Sequence, residues 1–179
     1  MLSGLRGRVL EVGCGDGRAF ELYPDGVERV VAVEPDPVAR AVAVERARVA
    51  RVPIEVVAGT AESLPADDGS FDVAVVIWVL CSVDDPPRAL GELRRVLRTD
   101  GELRFYEHVR SGNAAFRLVQ RAVDGLFWTR ALGGCRTTRD TLAAIRDVGF
   151  QIGSLEHGFH SSSWLTITSA PYVIGTARA

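Results

Sequence analysis

Short apolar runs alternate along this chain with longer segments in which apolar residues recur at helical spacing. Runs of the first kind predict buried strands, and segments of the second kind predict amphipathic helices. The predicted strands cover residues 9–12, 29–33, 54–58, 71–77, 102–109, 151–156 and 171–177. The predicted helices cover residues 16–22 and 114–128 and three further segments, which begin at Pro37, at Pro86 and after a cap at Thr137 or Thr138.

Two of these helices have strong start signals. Asp36 stands directly before Pro37. Asp84 or Asp85 is the corresponding cap before Pro86 and Pro87. An acidic cap accepts hydrogen bonds from the first turn, and proline suits the first helical position because its missing N–H is not needed there. We therefore expect helices to begin at Pro37 and at Pro86.

The alternation of strands and helices predicts the α/β class. Strands joined through helices run parallel, and the helices cover both faces of the sheet. The nearly all-apolar run at 71–77 is typical of a strand in the middle of such a sheet, where both faces are buried. A chain of 179 residues is predicted to form a single domain over residues 1–179.

A glycine-rich loop follows the first predicted strand, with Gly13, Gly15 and Gly17 at every second position. Glycines permit a sharp turn and a close approach of the backbone to a ligand, and a helix start beyond them would present free N–H groups. The pattern predicts a site for a nucleotide-like ligand. The dinucleotide fingerprint requires a glycine where this chain has Arg18, and no Lys-Ser or Lys-Thr pair completes a P-loop.

Residues suited to binding or chemistry stand at the predicted carboxyl ends of five strands. Parallel strands bring these ends to one edge of the sheet, where α/β proteins bind ligands. The five features are the loop at 13–17, Glu34, the pair Ala61-Glu62, the segment 77–81 and the pair Glu107-His108. We expect their convergence to form the functional site.

Composition narrows the class of partner. The formal net charge is −2 and all 21 basic residues are arginine, so no excess of positive charge predicts nucleic-acid binding. No apolar run approaches the ~20 residues of a membrane span, and we expect no signal peptide. Cys14, Cys81 and Cys135 show neither a metal-ligand spacing nor an even count for disulfides. We expect a cytoplasmic protein with no metal, no nucleic-acid partner and no membrane span.

The glycine loop, with Glu11 before it and Glu34 at the end of the next strand, resembles motif I of the class I S-adenosylmethionine-dependent methyltransferases. The resemblance implies a Rossmann-like sheet of seven mostly parallel strands with an antiparallel C-terminal strand. It implies S-adenosylmethionine as cofactor, with Glu34 on the ribose hydroxyls and the loop at 59–65 on the adenine. The implied cofactor-binding residues are Glu11, Gly13, Cys14, Gly15, Gly17, Glu34, Pro35, Ala61, Glu62 and Ile77.

Three further segments resemble the alkyl-thiol S-methyltransferase branch, also called the methyltransferase-like seven family. They are 80–83 (Leu-Cys-Ser-Val), 107–109 (Glu-His-Val) and 134–140 (Gly-Cys-Arg-Thr-Thr-Arg-Asp). The chain departs from the branch at Gly133, where aspartate is typical, and at Arg136, where histidine or asparagine is frequent. The resemblance implies methyl transfer to a small, apolar acceptor at a thiol, a hydroxyl or a ring carbon. A quinone-type C-methyltransferase and an inactive cofactor-binding module are the alternatives.

Two residues are candidates for the chemistry itself. His108 follows the fifth strand at the ligand edge, and histidine is the commonest general base in enzymes; a structural histidine is the alternative. Cys81 either lines the methyl-transfer channel or fills the core as a small apolar residue. Glu107 is expected to orient His108 or a loop. The candidate walls of an apolar acceptor pocket are Trp78, Phe127, Trp128 and Trp164.

A thiol acceptor makes a strong base optional. A thiol with a pKa near ~8.5 is already a few per cent ionised near neutral pH, and the thiolate is the nucleophile. A hydroxyl acceptor would depend more on a base.

The segment before the first strand is short for this family. Most class I methyltransferases carry one or two helices there, which close over the cofactor, whereas only seven residues precede Arg8. We expect a longer natural N-terminus, a second subunit in a homodimer or the segment 114–128 to cover the site. We also expect a more open pocket and weaker cofactor binding than is usual in the family.

Overall fold

The computed structural model describes residues 1–125, 134–160 and 164–179, with the side chains of 164–166 excluded. Within these ranges the chain forms one sheet of seven strands. The strands are β1 (Gly7–Val12), β2 (Val27–Val33), β3 (Ile54–Val57), β4 (Phe71–Ile77), β5 (Leu97–His108), β6 (Gln151–Phe159) and β7 (Pro171–Arg178). The helices are α1 (Pro37–Ala47), α2 (Pro86–Val96), α3 (Ala114–Val123) and α4 (Thr141–Asp147), with 3-10 segments at Phe20–Leu22 and Trp164–Ser169.

The strand order is β3-β2-β1-β4-β5-β7-β6. Neighbouring strands from β3 to β5 run parallel, and β7 runs antiparallel to both β5 and β6. This confirms the predicted α/β class, with seven mostly parallel strands and an antiparallel C-terminal strand. The order reverses between β1 and β4, so a crevice for a ligand is expected at the carboxyl ends of these strands.

Side chains along the central strands alternate between two apolar layers, one on each face of the sheet. On one face, Leu10 of β1 belongs to a buried cluster with Leu93 of α2 and Ile145 of α4. On the other face, Val9 belongs to a second cluster with Ala43 of α1 and with apolar residues of the segment before β1. Helices therefore cover both faces, as predicted.

The caps of α1 and α2 are as predicted, and the cap of α4 is not. Asp36 accepts hydrogen bonds from two backbone N–H groups in the first turn of α1, and Asp85 caps α2. The predicted threonine cap of α4 is wrong because Asp140 caps that helix. Thr137 and Thr138 instead donate their hydroxyls to the carboxylate of Asp124, which lies far away in sequence.

The predicted helix at 16–22 is also wrong. Gly15 and Gly17 have φ angles of 56° and 80°, and this left-handed conformation interrupts a right-handed helix. Pro24 prevents the helix from forming further along the chain. Only the single 3-10 turn Phe20–Leu22 remains, and Phe20 packs into the second apolar layer. No helix start therefore stands behind the glycine loop.

Helix α3 begins where the sequence predicts and ends at Val123; part of its predicted continuation, residues 126–128, lies outside the described residues. Its buried Gln120 holds the helix to the body of the protein. The Gln120 amide donates to the carbonyl oxygens of Thr137 at 3.1 Å and Thr168 at 2.9 Å. Within the described ranges, no helix is both long enough and apolar enough to cross a membrane.

Candidate active site

A cavity of about 380 Å³ opens at the carboxyl ends of β1, β2 and β4. This is the position at which the strand order reverses, so the cavity lies where the topology predicts a ligand site. Its lining residues are Val12, Gly13, Val33, Glu34, Pro35, Gly59, Thr60, Ala61, Glu62, Ile77, Trp78, Val79, Ser82, Val83 and Asp84.

Glu34 connects the glycine loop to the start of α1. Its side chain is buried, and its two carboxylate oxygens accept the backbone N–H groups of Gly15 at 2.8 Å and Asp36 at 2.9 Å. Each oxygen can accept a further hydrogen bond, and the residue lines the cavity. A fixed carboxylate with this remaining capacity suits the paired hydroxyls of a ribose.

Both the backbone conformation and the close neighbours at position 13 require a glycine. Its φ angle is 69°, and a Cβ atom at this position would lie 2.5 Å from Cγ2 of Val79. The end of β1 and the loop after β4 therefore approach each other more closely than any other residue at position 13 would allow.

The loop around Glu62 is fixed by contacts with the segment that leads into α2. The Glu62 side chain accepts the backbone N–H of Asp84 at 3.1 Å, and the Glu62 carbonyl accepts Nε of Arg88 at 2.9 Å. These bonds place Ala61 and Glu62 on one wall of the cavity. The wall thus combines a small apolar surface with backbone and carboxylate acceptors.

The cavity has an acidic lining. Three carboxylates, those of Glu34, Glu62 and Asp84, line it, and no arginine of the described residues does. Such a distribution favours a ligand that carries positive charge.

Six of the ten residues implied by the resemblance line this cavity, and Gly15 adjoins it through its bond to Glu34. Cys14 and Gly17 belong to the same loop but do not line the cavity. The six lining residues are Gly13, Glu34, Pro35, Ala61, Glu62 and Ile77.

Glu11 lies beneath the glycine loop and outside the cavity lining. Its buried carboxyl accepts the hydroxyl of Tyr23 at 2.9 Å. Burial raises the pKa of Glu11 to about 7, although the Tyr23 hydrogen bond acts in the opposite direction. Burial and the nearby carboxylates of Glu11 and Glu34 raise the pKa of the Cys14 thiol to about 12, so this thiol is uncharged near neutral pH.

Glu107 holds the loop that follows β4. It is fully buried, and its carboxylate accepts the backbone N–H groups of Val79 at 2.9 Å, Leu80 at 3.0 Å and Cys81 at 3.1 Å. Burial raises the pKa of Glu107 well above its usual value, and the three hydrogen bonds oppose that shift. Glu107 therefore orients a loop, one of the two roles expected for it.

Trp78 joins this loop to His108. Its φ angle of 57° is unusual for a bulky residue, and its side chain is 49% exposed. The indole lies parallel to the His108 imidazole, with ring centroids 5.4 Å apart and an interplanar angle of 4°. Trp78 also lines the cavity, so His108 stands directly behind the cavity wall.

Cys81, His108 and Cys135 meet in one cluster. Nδ1 of His108 lies 3.8 Å from Sγ of Cys81 and 3.7 Å from Sγ of Cys135, and the two sulfurs are 3.6 Å apart. The hydrogen bond with Cys135 and burial raise the pKa of Cys81 to about 12. Sequence reasoning proposed His108 and Cys81 but missed Cys135 as their partner, because no spacing signal connects residues so far apart.

The segment that carries Cys135 is bonded to the loop after β4. The backbone N–H of Arg136 donates to the carbonyl of Cys81 at 2.8 Å. The Arg139 guanidinium donates to the carbonyls of Leu80, at 2.6 Å, and Val83. Arg139 is a second residue whose role the sequence did not reveal, since its partners are main-chain atoms.

The remaining aromatic candidates for a pocket wall lie wholly or in part outside the residues that the structure describes. Phe127 and Trp128 are not among the described residues, and neither is the side chain of Trp164. Of the four candidates, Trp78 lines the cavity.

Comparison with known proteins identifies the family. The family model of a methyltransferase domain matches residues 10–105. The chain belongs to the methyltransferase-domain family. Human thiol S-methyltransferase TMT1B is 34% identical over 98% of this chain and 73% of its own length. The demethylmenaquinone methyltransferase of Renibacterium salmoninarum is 35% identical over 63% of this chain and 46% of its own length.

Solved methyltransferases share the fold. An S-adenosylmethionine-dependent methyltransferase from Thermotoga maritima superposes with a TM-score of 0.72, at 26% identity over 97% of this chain and 83% of that chain. One from Methanosarcina mazei gives a TM-score of 0.75, at 22% identity over 96% of this chain and 91% of that chain. The chain is thus an S-adenosylmethionine-dependent methyltransferase with the Rossmann-like class I sheet.

The cavity fits this cofactor. Its acidic lining complements a sulfonium and an ammonium group, and Glu34 retains hydrogen-bonding capacity for ribose hydroxyls. Ala61 and Ile77 offer apolar surface for a purine ring. The residues that provide this fit stand at or after the carboxyl ends of three strands: Glu34 after β2, Ala61 after β3 and Ile77 at the end of β4.

Proposed function

We propose that this methyltransferase transfers the methyl group to a small thiol. One observation carries the proposal: the segments that resemble thiol methyltransferases, 80–83, 107–109 and 134–140, meet in space beside the cavity. The similarity to human thiol S-methyltransferase TMT1B supports it, because that similarity spans 98% of this chain and includes the region beyond residue 105.

The chain's own residues would bind and orient the reactants. S-adenosylmethionine supplies an electrophilic methyl group when bound. Glu34, with the backbone of Gly13 and Gly15, would hold the ribose and amino-acid parts. Ala61 and Ile77 would hold the adenine. A dry, fixed arrangement is sufficient for most of the rate enhancement in a displacement at carbon.

The acceptor would lie against Trp78 and Ser82, which line the cavity next to the cysteine cluster. No lysine exists in the chain, and no histidine of the described residues lines the cavity. A site without a strong base in contact with the acceptor suits a thiol better than a hydroxyl, because part of a thiol population is already ionised. His108, one layer behind Trp78, is the candidate to accept the thiol proton.

Methylation of a quinone ring carbon is the second candidate. The similarity to the demethylmenaquinone methyltransferase favours it at 35% identity, but over only 63% of this chain. The aromatic surface of Trp78 would suit either an alkyl chain or a ring. The acceptor therefore has to be tested directly.

The test is a competition among acceptors of matched size. The protein is incubated with methyl-deuterated S-adenosylmethionine and an alkyl thiol, the alcohol of equal chain length, or a demethylated naphthoquinol. Labelled products are measured by mass spectrometry, with a Glu34→Ala variant as the cofactor-binding control. We expect labelled thioether with the wild type, at least about 10-fold above the other acceptors. Labelled quinol without thioether would overturn the thiol proposal, and no product with any acceptor would favour a binding module.

A further inference from the structure

The cluster of Cys81, His108 and Cys135 has the composition of a metal site. Two thiols and one imidazole nitrogen lie within 4.8 Å of one another. Cysteine sulfur and histidine nitrogen are the preferred ligands of zinc and of other soft or borderline cations. No metal-ligand spacing is visible in the sequence, because β5 supplies the histidine and two separate loops supply the cysteines.

The distances between the ligand atoms match a tetrahedral zinc ion. Bond lengths of about 2.3 Å to sulfur and about 2.0 Å to nitrogen place two sulfurs about 3.8 Å apart and a sulfur and a nitrogen about 3.5 Å apart. The observed separations are 3.6 Å between the sulfurs and 3.8 Å and 3.7 Å from Nδ1 of His108 to Cys81 and Cys135. One ion lying just above the plane of this triangle would be at bonding distance from all three atoms.

The surrounding structure fixes the three residues before any ion binds. Glu107 accepts the backbone N–H of Cys81, and the Cys81 carbonyl accepts the N–H of Arg136, next to Cys135. Val123 of α3 packs against both cysteines, and Trp78 stacks on the imidazole. Preorganised ligands of this kind bind a metal tightly, because little ordering remains to be done.

We propose that Cys81, His108 and Cys135 bind a zinc ion whose fourth coordination position faces the cavity. Two ligands contact residues that line the cavity: the Ser82 hydroxyl lies 3.5 Å from Sγ of Cys81, and Trp78 stacks on His108. Three protein ligands with one open position are the arrangement of catalytic rather than structural zinc sites.

The role of this ion rests on the proposed thiol methylation. With the ion bound, His108 is a ligand and no longer the base: the acceptor thiol binds the ion through sulfur and releases its proton to solvent. The sulfur electron pair then forms a bond to the methyl carbon, while the carbon–sulfonium bond breaks and S-adenosylhomocysteine leaves. The ion thus serves to keep the acceptor ionised at a pH where most free thiols are protonated.

Metal analysis and cobalt spectroscopy test the site. The protein is purified without a histidine tag or chelator, and zinc is measured per chain by mass spectrometry. Metal-free, reduced protein is then titrated with Co²⁺, which reports tetrahedral geometry through its visible bands and thiolate ligation through charge-transfer absorption. We expect about one zinc per chain and a saturable cobalt spectrum that zinc abolishes.

Cys135→Ser and Cys14→Ser form the matched pair of variants. Cys135→Ser should lower cobalt affinity at least about 10-fold and weaken the charge-transfer band. Cys14→Ser, another buried cysteine outside the cluster, should leave the spectrum unchanged. Folded wild-type protein with three alkylatable thiols, below about 0.1 zinc per chain and no charge-transfer band would overturn the proposal, as would a Cys81–Cys135 disulfide in freshly purified protein.

Titration of the same samples with S-adenosylhomocysteine separates this inference from the proposed function. If the protein binds the cofactor but no metal, the zinc proposal is overturned and the proposed function is not. If the protein binds metal and forms labelled quinol, the zinc site is supported, but its role in activating a thiol is overturned.

Discussion

The candidate active site has two halves that are built in different ways. The glycine-loop half consists of residues 13–17 and 34–36, which follow the adjacent strands β1 and β2 and are connected through one carboxylate, that of Glu34. The cysteine half consists of residues 78–82, Glu107, His108 and residues 135–139, which come from three distant parts of the chain. The first half joins the loops that follow two neighbouring strands, whereas the second brings together residues that are distant in the sequence.

The two halves also differ in how much the loss of their carboxylate should destabilise the fold. In the glycine-loop half, the backbone donors to Glu34 belong to the half-buried Gly15 and the exposed Asp36, so water can replace the carboxylate when it is lost. In the cysteine half, Glu107 is fully buried with three backbone donors around it. Substitutions in the second half should therefore destabilise the fold more, because buried donors without partners are costly.

The largest expected effect is that of Glu107→Ala. Three N–H groups, two of them in buried hydrogen bonds, lose their acceptor at ~1–3 kcal/mol each, so we expect the free energy of unfolding to fall by at least about 3 kcal/mol in urea titrations. Glu102→Ala, on the same strand but in a partly exposed ion pair, is the control and should change it by less than about 1 kcal/mol. Equal effects of the two variants would contradict the role assigned to Glu107.

The next effect concerns the pH dependence of stability. Burial raises the pKa of Glu11 from 4.5 to about 7, so between these values the native state holds a proton that the unfolded state has lost. This contribution to stability is complete below pH 4.5 and is lost as the pH rises through 7. It amounts to about 3 kcal/mol, at ~1.4 kcal/mol per unit of pKa.

Glu11→Gln tests this directly. The variant cannot ionise, so its unfolding free energy should fall less steeply between pH 4.5 and 7 than that of the wild type. Glu21→Gln, an exposed acid in the nearby 3-10 turn, should leave the slope unchanged. A wild-type slope retained in Glu11→Gln would show that Glu11 titrates normally.

The smallest effect is expected for Arg139→Ala. This side chain positions the loop of the cysteine half through the carbonyls of Leu80 and Val83. We expect kcat for a thiol acceptor to fall about 10-fold, equivalent to ~1.4 kcal/mol, with affinity for S-adenosylhomocysteine within about 3-fold. Arg146→Ala, at the exposed end of α4, serves as the control. A large loss of cofactor affinity in Arg139→Ala would show that the two halves do not act separately.

The same contrast explains what the sequence could predict. The strand pattern, the caps at Asp36 and Asp85 and the placement of Glu34 depend on neighbours within a few residues or on adjacent parallel strands. Periodicity and cap chemistry report such neighbours. The fold and the glycine-loop half of the site were therefore accessible.

The wrong predictions have tertiary causes. The helix expected at 16–22 fails because the chain uses Gly15 and Gly17 in left-handed conformations and buries Phe20 against the sheet. The cap at Thr137 fails because Asp124 takes its hydroxyl. Likewise, Cys135 joins Cys81 only through the folding of intervening strands and helices. Sequence spacing carries no information about such contacts.

We propose that the two halves act separately, one binding the cofactor and the other the acceptor. Calorimetric titration with S-adenosylhomocysteine of Glu34→Ala and His108→Ala, beside a thiol methylation assay, tests this proposal most directly. We expect at least about 100-fold weaker binding for Glu34→Ala, equivalent to ~2.7 kcal/mol. For His108→Ala we expect binding within about 3-fold of the wild type but at least about 10-fold slower methyl transfer. Loss of binding in both folded variants, or unchanged methyl transfer in His108→Ala, would contradict it.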